Sequence, residues 1–329
     1  MPSDISTRSR KRHRKDSDDE SQGQVNDKEI SVIHDGEFWY EDGNVVLVAQ
    51  DVGFKVYKGL LAQRSEVFRD LFAVAQPTCD EMLDGCPVIH LDDDPQELKC
   101  LFDALQYGDK YINPSADMTF GTLAVIIRLS NKYHIQDLQD NGVARLKAYY
   151  TDSFDDWNRN SLDDYFQYAP ADAITAVNLA RLTNTPTILP IALYICCTLQ
   201  SSVLVNGLPV EGKEPERLST EDLARCIDGR AKLSGQYIRM SHYIFSTSVA
   251  QHDGKCKTAI RAMCKASEKI DSPAVLRAYD VAGEAQTRSL CLSCRRQLEE
   301  REARERRQVW NTLPAYLDLD IPGWGEEDN

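Results

Sequence analysis

No stretch of this 329-residue sequence holds the roughly 18 consecutive apolar residues that would span a bilayer. The strongest candidate, residues 188–199, is too short and contains Pro190. The start of the sequence is polar and charged, so no apolar signal segment is expected there. A net basic balance is also missing. The formal charge is -14, which disfavours phosphate neutralisation along a nucleic acid and adsorption to an anionic membrane. No glycine-rich phosphate loop, nucleophile elbow or C2H2 spacing occurs. These absences leave few routes to an enzyme, a membrane protein or a DNA reader.

What is present is an ordinary hydrophobic fraction, 42%, enough for sizeable cores and about two domains. Without a secretory segment, the ten cysteines are expected in a reducing compartment, as buried thiols or metal ligands rather than disulfides. We expect an intracellular protein, nuclear or cytoplasmic. Residues 1–28 are nearly devoid of apolar side chains and read as a disordered charged tail. Its basic cluster (Arg8, Arg10, Lys11, Arg12, Arg14 and Lys15) matches a nuclear-targeting signal, with a phosphorylatable Ser17 beside it; the plainer alternative is a solvated tail of mixed charge.

Residues 43–72 are the stretch around which the N-terminal half is organised. Val45 to Val48 form a run rich in β-branched residues, residues 51–53 supply turn chemistry, and Phe54, Val56 and Tyr57 resume the apolar pattern. That predicts two antiparallel strands and a tight turn. Leu60, Leu61, Val67, Phe68, Leu71 and Phe72 then fall at helical spacing, with Ser65 placed to cap a helix. Phe38, Trp39 and Tyr40 make an apolar patch ahead of the first strand, suited to covering a sheet edge or lying against a partner. Residues 76–87 read as a loop and Val88, Ile89 and Leu91 as a strand. Asp92, Asp93 and Asp94 lead into Pro95 at a helix start, where acids suit the helix dipole; they lack calcium-loop spacing. Helices are predicted over 95–107, 120–132 and 135–148, broken at Tyr133 and His134.

This order resembles a BTB/POZ domain. The residues that carry the likeness are Phe54, Lys58-Gly59-Leu60-Leu61, Ser65, Phe68, Leu71-Phe72, Val88-Ile89 and Leu91-Asp92-Asp93-Asp94. Phe102, Leu105, Tyr107-Gly108, Phe120-Gly121-Thr122-Leu123, Leu129, Lys132-Tyr133 and Leu138 continue it, in a form similar to the BTB proteins numerous in fungi. Asn44-Val45 stands where Asp-Val is usual, and Tyr57 where a His commonly follows the second strand. The resemblance implies an α+β domain over residues 35–150, a small sheet with helical hairpins, that mediates homodimerisation or partner binding without catalysis. Two narrower roles known in the family are a substrate adaptor for a cullin-type ubiquitin ligase and a transcriptional regulator.

Residues 160–320 are expected to form a mostly α-helical C-terminal domain. Residues 157–168 read as a junction, 171–182 as a helix stopped by Thr185 and Pro186, and 188–199 as a helix apolar all round and therefore buried, with Cys196 and Cys197 as core thiols. Residues 207–218 look like a loop. Ser219 or Thr220 caps a short helix, and 232–249 carries no clear period. Further helices are predicted over 257–269, 275–282 and 287–309, ahead of an apolar tail.

One constellation carries chemistry. Cys291 and Cys294 are spaced C-x-x-C, with Cys256 and Cys264 upstream, and four such donors suit one structural zinc. A shared helix separates Cys256 from Cys264 by about 12 Å of rise. Ligand sulfurs on one zinc lie under about 4 Å apart, so Cys264 is excluded. His252, four residues before Cys256, is the better fourth ligand. The metal set read from the sequence is therefore His252, Cys256, Cys291 and Cys294, with packed core thiols as the alternative. A thioredoxin-like redox motif is disfavoured, since its βαβ context is missing. His90 and His134 have no nearby Ser or Cys at a base-pairing spacing and read as structural residues.

Overall fold

The computed structural model describes residues 32–73, 81–108, 118–159, 168–246, 254–267, 273–277 and 290–325. The N-terminal tail and His252 lie outside them.

Five strands, β1 (Ile33–Trp39), β2 (Val45–Ala49), β3 (Val52–Val56), β4 (Met82–Leu83) and β5 (Cys86–Leu91), form one sheet in the order β1-β3-β2-β5-β4. β2 runs antiparallel to β3 and parallel to β5. As the central strand it is buried on both faces. Val45, Leu47 and Ala49 face the main core, while Val46 and Val48 join Cys86 and Val88 in a smaller cluster covered by Val32, Trp39 and Leu83.

Three local expectations need correction here. The turn between β2 and β3 falls at Gln50 and Asp51, and Gly53 lies inside β3, opposite Val48. A Cβ on Gly53 would stand 2.6 Å from Val32 Cγ1, so this glycine admits the close approach of β1 rather than making a turn. The patch at Phe38 and Trp39 does not cover a sheet edge but belongs to β1, which forms that edge by pairing parallel to β3. Within the loop expected over 76–87, β4 and β5 form a hairpin. Its turn is Asp84-Gly85, with φ of +53° and +74°, the left-handed conformation a two-residue hairpin turn demands.

The helices of this half follow the sequence closely. They are α1 (Lys58–Arg64), α2 (Glu66–Ala73), α3 (Pro95–Gln106), α4 (Phe120–Lys132) and α5 (Gln136–Tyr149). Ser65 caps α2, its Oγ accepting from the Phe68 N–H at 3.0 Å while donating to the Tyr133 carbonyl. Asp94 caps α3 by accepting from the Gln96 and Glu97 N–H groups, with Pro95 as the first helical residue. Tyr133 ends α4, and His134 at φ +51° turns the chain into α5.

The C-terminal half is helical: α6 (Phe154–Arg159), α7 (Ala173–Leu182), α8 (Leu189–Thr198), α9 (Ser201–Asn206), α10 (Thr220–Ile244), α11 (Gly254–Ser267) and α12 (Leu292–Tyr316). Residues 189–197 of α8 are all buried, packed against α7 and α10. α4 packs on α7, so one apolar cluster runs unbroken from Phe38 to Leu317. Residues 220–244 are one helix rather than a short helix and an unassigned stretch. Its buried face is Cys226, Gly229, Leu233, Tyr237, Met240 and Ile244, while Ile227, Ile238 and Tyr243 are exposed. Apolar residues on the wet face obscured the period. α12 starts at Leu292 rather than at 287 and continues to Tyr316, drawing Trp310 and Leu313 into the helix. The described part of the helix expected over 275–282 is a turn that buries Val275 and Leu276.

Candidate functional site

The cysteine constellation is assembled by two helix starts. Cys256 lies in the first turn of α11 and is buried. Cys291 is the N-cap of α12 and Cys294 lies one turn in, so the C-x-x-C spacing becomes a cap geometry. The Cys294 N–H donates to the Cys291 sulfur at 3.5 Å. All three sulfurs lie within 4.8 Å of one another. Closing to the under 4 Å spacing of thiolates on one zinc needs a shift of about 1 Å, within reach of χ1 adjustments. Cys256 and Cys294 are buried and Cys291 is exposed.

The electrostatics of the three thiols differ. The Cys294 N–H, with the Cys294 thiol adding, holds Cys291 below the usual thiol range. Burial, with the two neighbouring sulfurs, pushes Cys294 up to about 12. A bound divalent cation reverses that balance, because a coordinating thiol gives up its proton. The donor set is soft and rich in thiolate, which suits zinc among the common divalent ions.

Cys264, excluded on helical rise, is absent from the cluster; its sulfur lies 4.0 Å from His242 Nδ1. Cys196 and Cys197 are buried as expected. The sequence reading did not connect them to Cys226, which α10 brings beside both. Cys197 Sγ donates to the Cys226 carbonyl at 3.4 Å, and Cys226 Sγ lies 3.9 Å from the Leu193 carbonyl. Burial pushes the Cys196 thiol well up, and the Cys226 side chain with burial does the same for Cys197. Those thiols are packing groups. All nine described cysteines are free of disulfides.

The three aspartates divide their roles. Asp94 is the cap of α3, whereas Asp93 is buried and accepts from Lys132 Nζ at 2.6 Å and from the Tyr133 hydroxyl. His90 meets Glu81 at 2.8 Å on the surface.

A second feature is an apolar hollow where α1 meets the sheet and α3. Tyr40, Tyr57, Leu60, Leu61, Phe102 and Leu105 line it, with Phe38 and Val56 at its floor. Leu60 is 47% exposed, and Tyr107 beyond the end of α3 is 39% exposed. Of the two positions that depart from the family pattern, only Tyr57 lines it. Tyr57 stacks on Tyr40 with ring centroids 5.1 Å apart and donates to Asp42, and Asn44 Oδ1 accepts from the Lys58 N–H at 2.8 Å, serving the first turn of α1.

A family model, that of the BTB/POZ domain, matches residues 40–149, the span that runs from the end of β1 to the end of α5. Residues 40–149 of the chain are a BTB/POZ domain. This domain is built of a small sheet and helices, and the C-terminal region of the chain is mostly helical. Neither the curated proteins nor the solved structures gave a match. BTB/POZ domains are protein–protein interaction modules, which gives the chain a general interaction role. Among the described residues, no helix is long and apolar enough to cross a membrane.

Proposed function

We propose that this chain is a non-enzymatic interaction protein that homodimerises through its BTB/POZ domain. The observation that carries the reading is the family match over residues 40–149, joined to a solvent-facing Leu60 on the apolar hollow beside α1. A half-exposed leucine at an apolar recess is unfavourable in water and gains from a covering surface. Light scattering on the full chain at tens of micromolar is expected to give the mass of a dimer. Leu60→Glu, at a half-exposed position, is expected to shift the population to monomer with an unchanged circular dichroism spectrum. A wild-type chain that stays strictly monomeric refutes the dimer.

We also read the three-thiol cluster as the seat of one structural zinc, with His252 as the fourth donor on grounds of spacing. Elemental analysis of protein purified without chelator is expected to find about one zinc per chain, falling in Cys256→Ser and Cys294→Ser. The basic cluster of the tail is proposed as a nuclear signal, tested by comparing the localisation of the full chain with that of a chain lacking residues 1–28.

A further inference from the structure

We propose that Cys291 is a site of reversible oxidation by hydroperoxides, and that its oxidation to a disulfide with a neighbouring thiol of the cluster opens the metal clamp between α11 and α12. The inference rests on the zinc reading and adds to it a chemical control.

The geometry separates the three sulfurs into one accessible and two protected. Cys291 is the single exposed cysteine among the nine described; Cys256 and Cys294 are buried, as are Cys86, Cys196, Cys197 and Cys226. It occupies the cap position outside the helical cylinder of α12, and the next residue, Leu292, is 83% exposed. A small oxidant arriving from solvent therefore meets Cys291 first. Its partners are already in place, since the sulfurs of Cys256 and Cys294 lie within 4.8 Å of it. The sulfenic acid formed there has a second thiol at hand before it can be oxidised further.

The chemistry balances without any group beyond the oxidant. The Cys291 thiolate attacks the terminal oxygen of the hydroperoxide. The O–O bond breaks, Cys291 becomes a sulfenic acid, and the departing alkoxide takes a proton from water to leave as an alcohol (or as water, when the oxidant is hydrogen peroxide). The neighbouring thiolate then attacks the sulfenic sulfur, the S–S bond forms, and hydroxide leaves and takes up the second proton. Two thiolates, one hydroperoxide and two protons give one disulfide, one alcohol and one water, with two electrons passing from sulfur to the peroxide. The donor set falls from three thiolates to one, which no longer holds zinc tightly. α11 and α12 then lose their metal link at the ends that carry Cys256 and Cys291. A dithiol reductant reverses the step, and added zinc closes the clamp again.

The experiment uses the full chain as purified. Zinc is measured first, before any oxidant; its absence there overturns both the zinc reading and this inference. Hydrogen peroxide is then added in the presence of a chromophoric zinc chelator, and the oxidised protein is digested and mapped by mass spectrometry. The expected result is release of about one zinc per chain, a disulfide that includes Cys291, and recovery of the metal after dithiothreitol and zinc. Cys264→Ser, which removes a half-buried thiol outside the cluster, is expected to release zinc at a rate within about twofold of the wild type. Zinc retained at peroxide levels that oxidise free cysteine, or zinc released with Cys291 still a free thiol, overturns the oxidation site while leaving the zinc reading standing.

Discussion

Removing Glu216 should loosen the C-terminal region from the BTB domain, and the size of the effect can be worked out from its partners. Glu216 lies in the segment between α9 and α10, and its side chain is 16% exposed. Oε2 accepts from Arg128 of α4 at 2.5 Å and from Thr175 of α7 at 2.8 Å, and Oε1 accepts from Asn178 of α7 at 3.0 Å. One carboxylate thus joins a BTB helix to the first long helix of the C-terminal half. Glu216→Ala strands a buried Thr175 hydroxyl, at roughly 1 kcal/mol, and breaks one charge-assisted bond worth about 1.5–3 kcal/mol, while the Asn178 amide keeps its bond to the Arg217 carbonyl. We expect a loss of about 2.5–4 kcal/mol. Arg128 is 36% exposed and can turn to water, so Arg128→Ala should cost only about 1–2 kcal/mol. The assay is a double-mutant cycle from urea denaturation of the four proteins, with an expected coupling of about 1–2 kcal/mol. A coupling under about 0.3 kcal/mol refutes the reasoning. The pH dependence gives a second check. Burial by itself would raise the Glu216 carboxyl, but Arg128, Asn178 and Thr175 outweigh it and hold it below the usual value of 4.5. The unfolded chain therefore takes up this proton before the folded one. The stabilisation is complete above the usual carboxyl range and is lost as pH falls below about 4.5, so the coupling should fade there and not on the alkaline side.

Trp310→Ala should be among the most destabilising single changes. Trp310 is fully buried against Phe154, Trp157 and Trp324, with ring centroids 5.7, 6.0 and 5.1 Å away, and a cost of about 3–5 kcal/mol is expected in denaturation; a loss under about 1 kcal/mol contradicts an anchoring role. Gly207→Ala should cost about 2–4 kcal/mol, because Gly207 has φ +87° and a Cβ there would stand 2.4 Å from the Glu216 carbonyl oxygen. A near-neutral result would mean that the bridge between Leu208 and Glu216 is free to move.

The elements legible in the sequence share one property: their signal is local. The 120–132 helix has the same bounds in sequence and structure, because Leu123, Ile126, Ile127 and Ser130 mark one face and Tyr133 closes it. Asp94-Pro95 announces α3 through the chemistry of caps, and Ser65 does the same for α2. The buried α8 is visible because a helix apolar on all sides has nowhere else to go. Failures come where a residue's neighbours are remote in sequence. Gly53 is a turn residue by composition, yet its place is decided by Val32 crossing above it. α10 reads as fragments because Ile227 and Ile238 lie on its wet face, where packing places no demand.

The cysteine site divides along the same line. The sequence by itself determined which thiols were eligible: helical rise removes Cys264, and the C-x-x-C spacing brings Cys291 and Cys294 together on one turn. Only the tertiary structure decided that Cys256, 35 positions before Cys291, meets them, and that Cys291 alone of the three faces solvent. Spacing along a helix is fixed by backbone geometry, which every residue carries with it. The meeting of two helix starts, and which sulfur is left outside, depends on how α10, α11 and α12 share one core, and that is settled by the packing of side chains far apart in the chain.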